Sequence, residues 1–137
     1  QKIPAMSSTL TIVAGSVAVA AHTGFFFLES VLFSHPRVSR GIFGIRTPEH
    51  VDAVKIWASN QGFYNLFLAA GSGYALWLLK NSARPEAGKL LLAANSFSML
   101  GAAVVLMVSS GWRLWRGAIL QGVPALLTLV GLYYHRK

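Results

Sequence analysis

Hydrophobic and polar positions alternate along this chain in long blocks, not residue by residue. Four apolar blocks, 9–33, 55–80, 90–109 and 114–134, are separated by short polar stretches. Each is close to or above the roughly 20 residues a helix needs to cross the hydrocarbon of a bilayer. The first contains no lysine or arginine. Ala18-Val19 and Ala20-Ala21 resemble a leader cleavage region, but apolar character continues through Phe25-Phe26-Phe27-Leu28, too far for a signal peptide. Met6-Ser7-Ser8-Thr9 resembles a translation start, and the residues before it resemble a processed or appended remnant.

The polar stretches carry the turn chemistry. Pro36, Gly41, Gly44 and Pro48 mark 34–50 as a loop. Thr47-Pro48-Glu49 predicts a helix start, with a Thr cap, proline at the first helical position and an acid in the first turn. The helix it opens runs to 79 or 80, longer than a bilayer is thick. Asp52, Lys55 and Trp57 are therefore expected at the interface. Residues 81–89 form a polar turn, and 110–116 an interfacial turn with Trp112, Arg113, Trp115 and Arg116 at headgroup level. The alanine-rich third block, with Gly101, predicts close helix contact. The fourth ends on Tyr133-Tyr134 and His135-Arg136-Lys137. The fold class predicted is all-α, an integral membrane four-helix antiparallel bundle, with 1–137 as a single membrane domain.

Composition supports this class. The chain is 54% hydrophobic and 12% charged, with mean hydropathy +0.52, whereas soluble domains carry about 25% charge. Cysteine is absent, which excludes disulfides, thiolate catalysis and cysteine metal sites. The net charge of +8 comes from residues lying between the apolar blocks. That placement points to anionic lipid headgroups rather than nucleic acid. The basic residues divide almost evenly between the two sides, so no orientation follows, and the identity of the membrane stays open. Histidines at 22, 35, 50 and 135 have no ligand spacing, so neither metal nor cofactor is expected.

The chemistry lies in the polar residues at membrane depth. His22 and Glu29 are seven positions apart, which on an α-helix returns them to within about 20° of one face. Asn60, Gln61, Tyr64 and Asn65 fall within an arc of roughly 140° on the second helix. The third block adds Asn95 and Ser98, and the fourth Gln121, Thr128 and Pro124. At about 1.5 Å per residue, Glu29 lies roughly 7 Å in from the 34–50 loop and His22 roughly 18 Å in. Asn60 and Gln61 are expected level with Glu29, and Tyr64 and Asn65 near His22. A carboxyl at that depth has to be neutral or paired, with His22, Tyr64 and the loop arginines as candidate partners. His22 and Glu29 are about 10 Å apart along their helix, so another group must lie between them.

These residues carry three readings. In the first, a polar intramembrane pocket binds a small lipophilic molecule. Glu29 and His22 supply acid–base chemistry such as isomerisation or epoxide opening, and Asn60, Gln61, Tyr64, Asn65 and Gln121 orient the ligand. In the second, Glu29 titrates in a proton-coupled transporter. In the third, the polar groups lock helices together in an accessory subunit. Expected partners are membrane lipids and the ligand, with assembly as a homo-oligomer or within a larger membrane complex.

Several motifs recur together: His22 with Phe27-Leu28-Glu29, Phe43-Gly44, the run Asn60-Gln61-Gly62-Phe63-Tyr64-Asn65-Leu66-Phe67-Leu68-Ala69-Ala70-Gly71, and Gln121-Gly122-Val123-Pro124-Ala125-Leu126-Leu127. In these the chain resembles the small four-helix membrane proteins grouped as domain of unknown function 1304. The third helix matches weakly. The resemblance implies the fold and the choice of residues; the family name states no activity.

Overall fold

The computed structural model describes residues 5–134, with side chains from Ser8 onward. The His135-Arg136-Lys137 ending lies outside the described residues. The elements are α1 (Ala5–Phe26), a single π-helical turn (Phe27–Val31), α2 (Pro36–Ser39), α3 (Pro48–Asn81), α4 (Pro85–Ser109) and α5 (Trp115–Tyr134). Among the described residues there is no strand.

The helix start predicted at Thr47-Pro48 forms, while the polar turn expected over 81–89 is shorter, because α4 already begins at Pro85. The Thr47 hydroxyl accepts the backbone N–H of His50 at 3.3 Å, with Pro48 opening α3. Ser82 Oγ accepts the N–H of Arg84 at 2.9 Å, with Pro85 at the first position of α4. At the end of α4, Gly111 adopts φ 56°. The N–H of Trp112 then reaches back to the Met107 carbonyl at 3.4 Å, a six-to-one closure that glycine permits. Arg116 lies over the Trp115 ring, 5.5 Å from its centroid, in the turn expected at headgroup level.

Three helical segments among the described residues are long and apolar enough to cross a membrane: Ser8–Val31, Pro85–Ser109 and Trp115–Tyr134. The α3 helix, expected as the second span over 55–80, is longer than any of them but is not one of the three. Its polar residues, Asn60, Gln61, Tyr64, Asn65 and Ser72 among them, dilute its apolar character.

The chain forms two compact units, one built from the segment ending at Ala21 together with Leu68 onward, the other from His22–Phe67. In the first, segments of four helices meet. Ala18, Met99 and Ala125 form one cluster with Leu68 and Leu100; Ala75, Leu92 and Leu132 form another. The buried polar residues there are Thr11, Ser72, Ser96, Gln121 and Thr128. Asn95 Nδ2 donates to Ser72 Oγ at 3.3 Å, and Thr128 Oγ1 to the Pro124 carbonyl at 2.8 Å. Meanwhile Phe97, Val104, Val105 and Val108 stand exposed along α4. Alanine, serine and threonine fill much of the interior beside Met99, Leu92 and Leu132, and large apolar side chains stand outside.

The close approach expected at Gly101 occurs elsewhere. A Cβ on Gly101 would meet nothing within 4 Å, whereas one on Gly88 would lie 2.8 Å from the Ala75 carbonyl oxygen and 3.0 Å from the Leu79 amide. Backbone atoms cannot step aside as a side-chain tip can. Gly88→Ala is therefore expected to destabilise the fold by about 1–3 kcal/mol. Gly101→Ala should be neutral or stabilising by up to about 1 kcal/mol through helix propensity. Thermal midpoints of the two variants in one detergent check the pair, and a reversed order would contradict the packing.

Candidate functional site

Six of the seven residues singled out from the sequence, His22, Glu29, Asn60, Gln61, Tyr64 and Asn65, belong to the His22–Phe67 unit. The seventh, Gln121, is buried in α5 of the other unit, beside Gly122, whose Cβ would come within 2.8 Å of Ala103 Cβ.

Glu29 does not sit on an α-helix. It occupies the π-helical turn that follows α1, closed by Leu32 N–H to Phe27 carbonyl at 2.8 Å. A π turn takes more residues per revolution than an α turn. The 100° step that placed His22 and Glu29 on one face therefore fails between 27 and 31. Single π turns inserted in α-helices are frequent at functional sites.

The turn is seated on α3 by three contacts. Asn65 Nδ2 donates to Glu29 Oε2 at 2.7 Å. Ser30 Oγ donates to the Ser59 carbonyl at 3.0 Å. Between these lies Gly62, where a Cβ would strike the Ser30 hydroxyl and lie 3.1 Å from the Ser30 nitrogen and 3.2 Å from Glu29 Cβ. Ser59, Gly62 and Asn65 recur every three residues, so they share one side of α3. Glu29 thus meets Asn65, more than one turn along α3 from the Asn60–Gln61 level that depth counting gave. Contact register, not distance from the surface, sets the pairing.

Asn65 is buried at 5% exposure, while Tyr64 is 58% exposed and Asn60 and Gln61 are exposed. The stripe read as one inward wall therefore divides. Asn65 faces the π turn, and the other three point outward without a hydrogen bond to Glu29 among the described residues. Asn65 is the hydrogen-bond partner that Glu29 has among them.

His22 is fully buried near the end of α1, with its ring edge-on to Phe25, centroids 5.6 Å apart. A row of phenyl rings runs beside Gly62. Phe26 packs edge-on against both Phe27 and Phe63, at 5.3 and 5.2 Å, and Phe63 lies 6.3 Å from Phe67. Phe27, Phe63 and Phe67 are exposed. A half-buried carboxyl is thus held by a carboxamide next to an outward-facing aromatic shelf.

Sequence reasoning passed over Ser30, Ser59 and Gly62. The available signal was Gly62 itself, a glycine within a predicted helix interior, where it costs about 1 kcal/mol relative to alanine unless something needs the space.

Among known proteins, the family described as "Protein of unknown function (DUF1304)" has a model that matches residues 16–133. Neither a curated protein nor a solved structure matches the chain.

Proposed function

The chain belongs to the DUF1304 family, and from that premise we propose that it is a multi-pass integral membrane four-helix bundle that binds a small lipophilic molecule at Glu29. The observation that carries the reading is the 2.7 Å bond from Asn65 to Glu29 on a π turn, beside the Phe26–Phe27–Phe63–Phe67 rings. The rings offer apolar area for the body of a ligand, and ring pairs of this kind are worth about 0.5–1.5 kcal/mol beyond area burial. The carboxyl offers a strong acceptor or a proton. Its contact with Asn65 fixes one oxygen, Oε2, and leaves Oε1 to meet the ligand. Gln61 and Tyr64, along α3 from Asn65, line the approach, and Asn60 stands farther round the helix.

Such a site suits proton transfer to or from a bound molecule, as in isomerisation or epoxide opening. Glu29 is the group that exchanges the proton. His22, one or two turns deeper, acts as the second acid–base group. The test is conversion or saturable binding of lipophilic epoxides and unsaturated ketones by the purified protein in nanodiscs. Glu29→Gln, which keeps shape and an acceptor oxygen but cannot transfer the proton, is expected to lower turnover by at least about 100-fold while leaving the fold intact. A Glu29→Gln protein with full turnover would end the role assigned to Glu29.

A further inference from the structure

The segment between the π turn and α3 is folded, not slack. Phe33 and Phe43 pack ring against ring at 5.5 Å, and Phe33, Val38 and Ser39 are buried. Backbone bonds from Ile42 and Phe43 to the Val38 carbonyl, and from Ile45 to the Ser39 carbonyl, close the loop at 2.8–3.1 Å. Gly44 makes the turn at φ 71°.

This scaffold gathers positive charge. Arg37 and Arg40 are three residues apart across the α2 turn and so share a side. Arg40 Nη2 donates to the Arg46 backbone carbonyl at 3.3 Å, which places the backbone of Arg46 at the head of Arg40. No acid lies between 32 and 48. The ion pair found among the described residues is Lys89–Glu86, on another turn. The next acid, Glu49, is held below the usual carboxylate range by its own backbone N–H and then by the Thr47 hydroxyl. Three exposed arginines are thus carried on one folded loop that contains no acid. Beside them, Val31, Leu32 and Ile42 are exposed.

We infer that the 37–46 loop is a docking site for the phosphate of an anionic phospholipid headgroup. Guanidinium forks match phosphate oxygens in pairs. The apolar flank separates a lipid from a soluble anion: Val31, Leu32 and Ile42 enter the acyl region while Arg37 and Arg46 hold the phosphate. The inference rests on the chain being embedded in a bilayer, which resistance to alkaline extraction establishes separately, and it does not depend on a ligand at Glu29.

The experiment uses nanodiscs of mixed phosphatidylglycerol and phosphatidylcholine, with the lipids retained by the released protein counted by native mass spectrometry. Each arginine near the surface is worth about fivefold in association with an anionic lipid. Arg37→Gln/Arg46→Gln, which spares the loop-closing Arg40, should lower the retained phosphatidylglycerol preference about 25-fold, at an unchanged thermal midpoint in pure phosphatidylcholine. Arg113→Gln/Arg116→Gln, equal in charge, should lower it far less. An equal loss in both pairs would overturn the site in favour of general charge. Displacement of phosphatidylglycerol by millimolar inorganic phosphate would overturn the lipid assignment.

Discussion

Gly62→Ala is expected to lower the stability of the folded protein by about 1–3 kcal/mol and to detach Glu29 from Asn65. The added methyl would strike the Ser30 hydroxyl and crowd the Ser30 nitrogen and Glu29 Cβ at 3.1 and 3.2 Å. The hydroxyl can rotate away, but only by giving up its 3.0 Å bond to the Ser59 carbonyl. The nitrogen and Cβ move only if the π turn moves. Ser30→Ala alone should cost about 1 kcal/mol, the worth of one hydrogen bond. Combined with Gly62→Ala it should cost less than the sum, because the first clash is gone; contacting residues commonly couple by about 0.5–3 kcal/mol. Denaturation of the four proteins in one detergent reads the cycle. Strict additivity, or a Gly62→Ala protein as stable as the parent, would remove the close seating of the π turn on α3.

Asn65→Ala should be of similar size and different in kind. It leaves the turn in place and removes the donor that Glu29 uses. A buried or half-buried polar group stripped of its partner costs about 1–3 kcal/mol. Asn65→Asp keeps the volume and faces one carboxyl with another where the 2.7 Å bond was. With a shared proton the pair keeps a hydrogen bond and should cost less than alanine, whereas with both carboxyls ionised it should cost more, since like charges at contact repel. Glu29→Gln retains an acceptor for Asn65 and should stay within about 0.5 kcal/mol of the parent. Stability would then fall with Asn65→Ala and Asn65→Asp, and turnover with all three. If Asn65→Ala melts as the parent does, the Asn65–Glu29 bond contributes nothing to the stability of the fold.

The helices and their punctuation were legible because they obey local rules. Thr47-Pro48 opens α3 as expected, and the apolar blocks at 90–109 and 114–134 are long enough to be unambiguous, although α4 begins at Pro85, inside the turn expected over 81–89. The pairing of Glu29 with Asn65 was half legible. Both residues stood out as polar groups on apolar helices, but the register was placed by counting residues from a loop. A count in steps of 1.5 Å and 100° holds only while the helix stays α. The π turn at 27–31 breaks it, and the residues that seat that turn, Ser59 and Gly62, lie on a helix distant in sequence. Nor does spacing say which edge of a polar stripe is buried. Asn60, Gln61 and Tyr64 sit within reach of Asn65 on the helical wheel yet remain exposed. Small residues decide that question, since Gly62, Ala69 and Ser72 let α3 turn its Asn65 side inward.

The most direct test of Glu29 as a carboxyl reachable by small lipophilic molecules is labelling of the membrane-embedded protein with dicyclohexylcarbodiimide, followed by peptide mass mapping. The chain has four acids, Glu29, Glu49, Asp52 and Glu86, so the modified site is read without ambiguity. The carboxyl adds across the carbodiimide and rearranges to a stable acylurea, one reagent per site. The proposed site predicts that the lipophilic reagent modifies Glu29 ahead of the other three. A water-soluble carbodiimide should show the opposite preference, and Asn65→Ala should alter the Glu29 rate. A folded protein in which dicyclohexylcarbodiimide leaves Glu29 unmodified would contradict it.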